Sequence, residues 1–450
     1  EALTKDKNNI LEKTMYDEAR SMAQSLTKVE KDNLLWGIPF LVKDNIAMKG
    51  IETTGSSNIL NGFIPLCNAE VIDKLLAAKA IPVAKTTLDE FGMGGRGETG
   101  HKGITYNPYG KERTRIVGGS SSGSASGVAS GYVPFAVGSD TGDSIRKPAS
   151  FAGLVGFKPT WGEISRFGLF AFMPTLDHVG FFTRSVSEAR VLFEKTRGYD
   201  KKDATSVMNV PFKTEKDATL KGKKVAVLEP IFALMKNKLL IKEFHNLVDK
   251  LRQAGAVVDF VPFDKDLLAA IFPTYFILSC AEANVSNACL TGIGFGNKEE
   301  GASYEEIVAN TRGKGFSSRI KYRLMLGQYA LKKENRNEYY DRAQKARRLI
   351  VEAVDKVLEN YDVIMLPAAP NHAPTVDKQS EPHSEIENNF MAIANFGGNP
   401  SLTLPYFLDE GLPLGVNLTG KPFDDFNVLN IALKIEEITG LYNLHAGLKS

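Results

Sequence analysis

The sequence predicts an α/β fold: one large domain whose central, mixed and mostly parallel β-sheet is covered by helices on both faces. Three observations support this prediction. Short apolar segments alternate with amphipathic ones along the chain. A chain of 450 residues with 43% hydrophobic content can bury a sizeable core. No internal repeat, linker or shift in composition divides it. Strands that alternate with helices form parallel or mixed sheets with both faces covered.

The first elements follow from local hydrophobic patterns. The first forty residues are predicted to be helical, because Asn9–Leu26 carries apolar residues at near-helical spacing. Trp36–Val42 is a continuous apolar run, typical of a strand buried on both faces, and Lys43 follows it directly. A helix over Ala69–Lys79 and a strand over Ile81–Ala84 complete one β-α-β unit.

The next elements are short and rich in small residues. Gly123–Gly131 suits a helix that packs closely against its neighbours, and Phe135–Val137 and Leu154–Phe157 are predicted strands.

The second half continues the alternation and ends in a polar loop and a final helix. Asn371–Asn388 contains Pro, Ser and Glu and is predicted to be a long loop or flap. The other predicted elements are strands at Lys224–Leu228, Val257–Val261 and Val363–Leu366, two strands within Leu402–Leu418, and helices at Ile241–Ala254, Glu338–Asn360 and Phe426–Thr439.

Composition and charge exclude several classes of protein. The net charge is 55 − 53 = +2, which argues against a chain whose main partner is nucleic acid. One basic cluster, at Arg342, Lys345, Arg347 and Arg348, is typical of a solvated helix face. Three cysteines without a Cys-x-x-Cys or Cys/His spacing predict no metal site and a reducing, cytoplasmic location. No apolar run reaches the roughly 18 residues that span a membrane.

The most informative segment is Gly118–Pro148, where two glycine- and serine-rich loops flank a short apolar strand. Glycine lets backbone N–H groups approach a substrate closely, and serine supplies a nucleophile or a proton relay. Ser144 follows a strand and a glycine turn, so several N–H groups can point at one place beside its hydroxyl, as an oxyanion hole requires. The alternative is an ordinary helix cap.

The loop at Ser120, Ser121 and Ser122 allows three interpretations. It can be a flexible loop. It also fits Gly-x-Ser-x-Gly with Ser121 in the centre, the nucleophile elbow of a hydrolase, although the preceding segment is polar and no histidine stands out as a partner. A phosphate-binding loop is the third, but the required glycine and lysine pattern is absent.

Lys43 also allows two interpretations. A lysine at the end of an apolar strand can reach water or pair with Asp44. Alternatively, burial disfavours its charged form, and the neutral amine then acts as a base near neutral pH.

Taken together, these motifs resemble the amidase signature family. The two loop serines are separated by 144 − 120 = 24 residues, which is the family's spacing. The resemblance covers nearly the whole chain after about residue 15, and it implies one amidase domain over residues 1–450 with a signature core at 118–190 and a truncated N-terminal helical region over 1–30. The segments that carry it are Lys43, Gly118–Ser121, Ser139–Pro148, Gly153–Leu169 and Leu176–Val186.

Within the family, the closer likeness is to the glutaminase subunits of tRNA-dependent amidotransferases. It is carried by Asp89–Gly95, Ser165–Phe172, Tyr361–Pro370 and Gly420–Phe423. This resemblance implies a Ser–Ser–Lys triad: Ser144 attacks glutamine, and Ser120, whose peptide bond is cis in the family, passes the proton to Lys43.

The resemblance also implies binding groups. The backbone N–H groups of Thr141, Gly142, Asp143 and Ser144 are expected to form the oxyanion hole. Tyr275, Arg323 and Asn388 match positions that bind glutamine, with the arginine holding its α-carboxylate. Taken without the resemblance, Arg323 is a surface helix charge. The family has aspartate, to bind the α-amino group, where Asn388 falls here; Glu385 or Glu387 can replace it.

Asp143 departs from the glycine that the family has before the nucleophile. A carboxylate about 6 Å from an oxyanion, at an effective dielectric near 20, costs roughly 2–3 kcal/mol. We therefore expect the Asp143 side chain to turn away, onto Arg146 or Lys147, so that only its N–H faces the site.

The implied partners are glutamine, the B and C subunits of the amidotransferase and, through the complex, mischarged Glu-tRNA(Gln). No cofactor is expected in this chain, and ATP and Mg²⁺ are expected to be used by the partner subunit. Two alternatives remain open. One is a free-standing amidase that acts on another small amide. The other is an inactive scaffold subunit, and Asp143 is the only feature of the sequence that argues for it.

Overall fold

Eleven strands form one continuous sheet in the computed structural model, which describes residues 6–208, 218–376 and 390–446. The strands are β1 (Leu11–Thr14), β2 (Pro39–Lys43), β3 (Ile81–Thr86), β4 (Phe135–Asp140), β5 (Val155–Lys158), β6 (His178–Thr183), β7 (Lys224–Leu228), β8 (Val257–Val261), β9 (Val363–Pro367), β10 (Ser401–Asp409) and β11 (Leu412–Gly420). Their order across the sheet is β1-β3-β2-β4-β6-β5-β10-β11-β9-β7-β8.

The sheet is mixed, as predicted, but parallel pairs are the minority. Among the described strands, β2–β3, β2–β4, β7–β8 and β7–β9 are parallel, and the other six pairings are antiparallel. The expectation of a mostly parallel sheet is corrected because strands in the middle reverse direction. Glu410 and Gly411, both with positive φ, close the β10–β11 hairpin, the conformation that suits a two-residue hairpin turn.

Helices cover both faces of this sheet. Successive residues of β7 point to opposite sides: Val225 and Val227 join one apolar cluster, while Ala226 and Leu228 join another. The helices are α1 (Tyr16–Ser25), α2 (Glu70–Ala77), α3 (Ser122–Ala129), α4 (Arg146–Phe151), α5 (Val186–Thr196), α6 (Glu229–Ala233), α7 (Lys238–Gln253), α8 (Lys265–Ser286), α9 (Tyr304–Gly315), α10 (Ser318–Leu331), α11 (Arg342–Asn360), α12 (Ile393–Phe396) and α13 (Asp425–Thr439).

Two predicted helices differ at their N-terminal ends. Leu11–Thr14 is strand β1, and the helix begins only at Tyr16, because the edge of β3 offers backbone partners to this segment. The predicted helix from Glu338 starts with a π-helical turn over Asn337–Asp341 before α11. Part of the predicted loop Asn371–Asn388 lies outside the described residues.

Helix α8 is the one described helix that is long and apolar enough to cross a membrane by length and composition. It packs against α10 and α11, and Ile271, Leu278 and Ala283 are buried in the domain core.

Candidate active site

The site lies where two neighbouring parallel strands, β2 and β4, end. The two strands pair in register at Val42 and Val137, so Lys43 and Ser139 lie near the carboxyl ends of β2 and β4, at the same edge of the sheet. The Nζ of Lys43 lies 2.8 Å from Ser120 Oγ, 2.8 Å from Ser139 Oγ and 3.2 Å from the Ser139 carbonyl oxygen. Residues 77 and 96 positions apart are therefore brought together around one amine.

The Lys43 amine is fully buried. Burial lowers the pKa of Lys43 to about 7, although the carboxylates of Asp89, Asp140 and Asp177 oppose the shift. The interpretation of Lys43 as a lysine that reaches water is wrong, because its side chain is buried. The interpretation as a partner of Asp44 is also wrong, because Asp44 forms a buried ion pair with Lys85 at 2.9 Å. Lys43 is thus placed to be neutral near pH 7.

The loop that carries Ser120 packs closely against the segment around Asp89. The Gly119–Ser120 peptide bond is cis, as the resemblance implied. Asp89 donates its N–H to the Ser120 carbonyl at 3.1 Å. A Cβ on Gly119 would lie 2.1 Å from Asp89 Oδ2, so only glycine fits there. The Asp89 carboxylate itself accepts the N–H groups of residues 96–99, which holds this loop in place.

The other two serines of the loop have structural partners. Ser121 is buried and donates its hydroxyl to the Ser139 carbonyl at 3.0 Å, so the nucleophile elbow centred on Ser121 is wrong. Ser122 begins helix α3 and donates to Thr105 Oγ1 at 3.1 Å. The loop is therefore ordered by side-chain hydrogen bonds, and the interpretation as a flexible loop is also wrong.

Ser144 lies in the turn between β4 and α4, against the loop that carries Ser120. The Ser121 N–H donates to the Ser144 carbonyl at 3.3 Å, which joins the two glycine-rich loops. Helix α4 begins at Arg146 with Ile145 as its N-cap residue, so Ser144 does not cap it. Ser144 is almost completely buried.

A buried ion pair shapes the turn that holds Ser144. Arg146 Nη2 lies 2.9 Å from Asp140 Oδ1 and donates to the Gly142 carbonyl at 2.8 Å and to Asn395 Oδ1 at 2.6 Å. The same guanidinium holds the pKa of Asp140 well below its usual range. Thr141 donates its hydroxyl to the buried Asp177 at 2.7 Å. The turn is thus held by side chains whose part in the site the sequence analysis did not identify.

Asp143 turns its side chain onto Lys147, which confirms the expectation for this residue. Arg146, the other partner considered, is occupied by Asp140. Burial raises the pKa of Asp143, and the charge of Lys147 opposes this shift. The carboxylate that replaces the family's glycine is therefore paired.

Of the three predicted glutamine-binding residues, Tyr275 lies against this turn, and Arg323 lies close enough to Tyr275 for its charge to act on the Tyr275 hydroxyl. A Cβ on Gly142 would lie 2.9 Å from the ring of Tyr275, so the ring packs against the turn. The guanidinium of Arg323 lies 5.0 Å from the centre of the Phe276 ring. Arg323 Nη1 is buried and has no hydrogen-bond partner among the described residues, so Arg323 is not simply a surface charge. Asn388, with Glu385 and Glu387, lies outside the described residues.

Sequence reasoning missed the part that five residues play in holding this site. Asn45, Ser139, Asp140, Arg146 and Asp177 are all buried. A signal existed for Asp140 and Arg146, because the segment Ser139–Pro148 concentrates four charges, two acidic and two basic, directly after an apolar strand. No group of three or more His, Cys, Asp or Glu side chains in the described part of the chain is arranged to hold a metal ion.

Comparison with known proteins gives consistent matches. The family model described as amidase matches residues 1–429. The chain is 40% identical to a protein of Macrococcus caseolyticus over 95% of this chain and 88% of the relative, and 38% identical to one of Staphylococcus haemolyticus over 98% and 90%. Both relatives are named as the A subunit of glutamyl-tRNA(Gln) amidotransferase.

Solved structures give the same result. The A subunit of the Thermotoga maritima glutamyl-tRNA(Gln) amidotransferase is 35% identical with a TM-score of 0.77, over 91% of this chain and 85% of that one. A structure described as an amidase is 27% identical with a TM-score of 0.80, over 98% and 94%.

Proposed function

Because this chain belongs to the amidase family, and is therefore an enzyme of that family, we propose that it hydrolyses glutamine as the A subunit of a glutamyl-tRNA(Gln) amidotransferase. One observation carries the catalytic part of the proposal: the Lys43 amine is buried, has a pKa of about 7 and lies 2.8 Å from Ser120 Oγ. A neutral amine in that position can accept a proton from a hydroxyl.

In the proposed first step, the proton moves along the two serines to the lysine. Ser144 Oγ attacks the carboxamide carbon of glutamine, and its proton passes to Ser120 Oγ. At the same time the Ser120 proton passes to Lys43 Nζ, which becomes an ammonium. Activation of a hydroxyl by an adjacent base is the usual way to make serine nucleophilic, and here lysine takes the place of histidine.

The negative charge that develops on the carboxamide oxygen is received by backbone N–H groups of residues 141–144. Preorganised donors of this kind contribute a large part of catalysis, because they need no reorganisation during the reaction. The Asp140–Arg146 ion pair supports this role, since Arg146 holds the Gly142 carbonyl and so orients the turn.

The tetrahedral intermediate then collapses as the carbon–nitrogen bond breaks. The leaving nitrogen takes the proton from Lys43 through Ser120, and ammonia departs, which leaves a glutamyl ester on Ser144. Water attacks the ester by the same route, with Ser120 and Lys43 accepting its proton. Glutamate is released and Ser144 regains its hydrogen.

The α-carboxylate of glutamine is proposed to bind Arg323. A buried guanidinium nitrogen without a partner is costly, and a bound carboxylate satisfies it. Tyr275, packed against Gly142, would lie alongside the substrate chain. Asn388 stays a proposal from the resemblance.

The rest of the reaction is assigned to partners. We propose that the B and C subunits complete the enzyme, that ammonia passes to the B subunit and that this subunit uses ATP and Mg²⁺ to amidate Glu-tRNA(Gln). The names of the relatives, which are A subunits, support the presence of further subunits. A cytoplasmic location belongs to the same proposal.

The test is ammonia release from glutamine by the wild-type chain and by Ser144→Ala, each with and without the B and C subunits. We expect release by the wild type, stimulation by the partners and none by Ser144→Ala. Full turnover by the chain alone on another small amide would favour the free-standing amidase. If hydroxylamine traps no glutamyl hydroxamate from the wild type, the chain is a scaffold.

A further inference from the structure

Two buried side chains beside Lys43 have no role in the steps above. Ser139 Oγ and the Ser139 carbonyl oxygen lie 2.8 and 3.2 Å from Lys43 Nζ. Asn45 Nδ2 donates to the same Ser139 Oγ over 3.0 Å. Lys43, Ser139 and Asn45 are all buried, so the hydrogens of their polar groups need acceptors among these residues and their buried neighbours.

The three oxygens around Lys43 match its charged form. An ammonium has three hydrogens, and Ser120 Oγ, Ser139 Oγ and the Ser139 carbonyl oxygen supply three acceptors. The neutral amine has two hydrogens and one lone pair. Because the carbonyl can only accept, one hydroxyl has to donate to the lone pair and the other has to accept.

Catalysis depends on which of the two hydroxyls, that of Ser120 or that of Ser139, donates to the Lys43 lone pair. Lys43 can take the Ser120 proton only when its lone pair faces Ser120. In that state Ser139 Oγ accepts a hydrogen from Lys43, and the hydrogen of Ser139 needs another acceptor. If Ser139 donates to Lys43 instead, the lone pair is occupied and Ser120 has no base.

Asn45 offers the missing acceptor. Its Oδ1 is buried and has no hydrogen-bond partner within the described ranges. In the observed orientation Nδ2 donates to Ser139, so Asn45 cannot accept the Ser139 hydrogen; when Lys43 is neutral, its lone pair is then the acceptor left for that hydrogen. Rotation of the amide by half a turn exchanges Nδ2 and Oδ1, so that Ser139 donates to Asn45 and accepts from Lys43.

We propose that Ser139 and Asn45 are positioning residues, and that the orientation of the Asn45 amide decides whether the Lys43 lone pair faces Ser120. The inference rests on the proposed function, in which Lys43 accepts the Ser120 proton. No covalent bond changes when the amide turns. In the step that follows, the Ser120 O–H bond breaks, an N–H bond forms on Lys43 and Ser120 takes the hydrogen of Ser144.

The charged groups that face Lys43 are carboxylates on three elements. They are Asp89 after β3, Asp140 at the end of β4 and Asp177 before β6. Substitutions at positions 45 and 139 leave these residues in place, so a change in the pH profile can be assigned to the hydrogen bonds of Lys43 itself.

The test compares Asn45→Leu, Asn45→Asp and Ser139→Ala in the complete chain with its partner subunits, with glutamine as substrate. Asn45→Leu removes the acceptor, and we expect kcat to fall between about twofold and tenfold with KM unchanged, the range of one hydrogen bond between neutral groups. Asn45→Asp keeps an acceptor and adds a negative charge. We expect it to retain kcat at high pH, with the acid limb of the profile moved to higher pH.

Ser139→Ala removes one acceptor of the ammonium, so we expect the acid limb to move to lower pH together with a reduced kcat. The matched control is Ser124→Ala. It deletes a buried hydroxyl of helix α3 that donates to the Val137 carbonyl at 3.1 Å, in β4, the strand that also carries Ser139. It should behave as the wild type.

The outcomes separate the two proposals. If Asn45→Leu and Asn45→Asp lose activity equally, the residue is only structural and the inference is wrong. It is also wrong if both match the Ser124→Ala control. If Lys43→Met still hydrolyses glutamine, the proposed role of Lys43 as the base is wrong, whatever the variants at position 45 show.

Discussion

Asp143 and Lys147 form an ion pair four residues apart, immediately beside Ser144. The pair is largely buried, and the ammonium of Lys147 compensates the charge of the carboxylate beside the turn whose N–H groups are proposed to bind the oxyanion. The effect of this ion pair on catalysis can be measured by substituting Asp143 and Lys147.

Asp143→Gly restores the residue that the family has at this place, and we expect kcat/KM for glutamine to change less than tenfold. The reason is that the charge of the carboxylate is already compensated by Lys147. An increase of a hundredfold, about 2.7 kcal/mol in the barrier, would mean that the charge acts on the transition state. Steady-state rates of ammonia release decide between these results.

Lys147→Met is the companion change and should be the more harmful one. It leaves Asp143 buried without its partner, so that its charge can turn towards the reacting oxygen. We expect kcat to fall more than in Asp143→Gly, and the double variant Asp143→Gly/Lys147→Met to recover activity. Failure of the double variant to recover would show that Lys147 acts independently of Asp143.

The pH dependence follows from Lys43. Its pKa is lowered to about 7, and the neutral amine is the active form, so protonation removes the base as the pH falls. We expect kcat/KM to be constant above about pH 7.5 and to fall about tenfold per unit below pH 6.5. Measurement in buffers of constant ionic strength, with Ser124→Ala as control, checks this. An acid limb near pH 4 would indicate a carboxylate instead.

Much of the sheet could be predicted, because strands such as Lys224–Leu228 and Val257–Val261 are bounded apolar runs, and both have these limits in the structure. The position of Lys43 at a strand end was also visible. Leu11–Thr14 could not be identified, since its pairing with β3 depends on a strand some 70 residues later. Local periodicity cannot report such a contact.

The residues that support the site could not be predicted from the sequence for a similar reason. Asn45 and Ser139 are 94 residues apart, and nothing in either segment indicates the contact. Asp140 and Arg146 are only six residues apart, but whether they pair or face water depends on burial, which comes from the β4–β6 ladder and from Asn395. Ser120, Ser144 and Lys43 were identified as a triad through resemblance, because their spacing alone left other interpretations open.

Asp140→Asn is predicted to destabilise the fold strongly. The change leaves the Arg146 guanidinium buried without its carboxylate, and breaking a buried pair in this way costs about 3–5 kcal/mol. Urea unfolding monitored by fluorescence measures the difference. The matched control is Arg348→Met, which breaks the exposed ion pair with Glu352 and should leave the midpoint unchanged. Equal midpoints for both variants would contradict this account of the turn.

Arg323→Ala is predicted to raise KM for glutamine between about tenfold and a hundredfold, because the substrate carboxylate loses a charged hydrogen-bond partner. We expect kcat to change less. The substrate 4-aminobutanamide, which lacks the carboxylate, should be hydrolysed equally by the variant and the wild type. Lys333→Ala, an exposed cation after the same helix, is the control. If the variant discriminates between the two amides as the wild type does, Arg323 does not bind the carboxylate.

The most direct measurement of the central claim is the mass of the peptide that contains Ser144, after the chain with its partner subunits has been mixed with glutamine and quenched in acid. If a buried neutral lysine activates Ser144 through Ser120, the wild type carries a glutamyl group on Ser144, and Lys43→Met and Ser120→Ala carry none. A glutamyl group on Ser120 or Ser121, or an undiminished one on Ser144 in Lys43→Met, would contradict it.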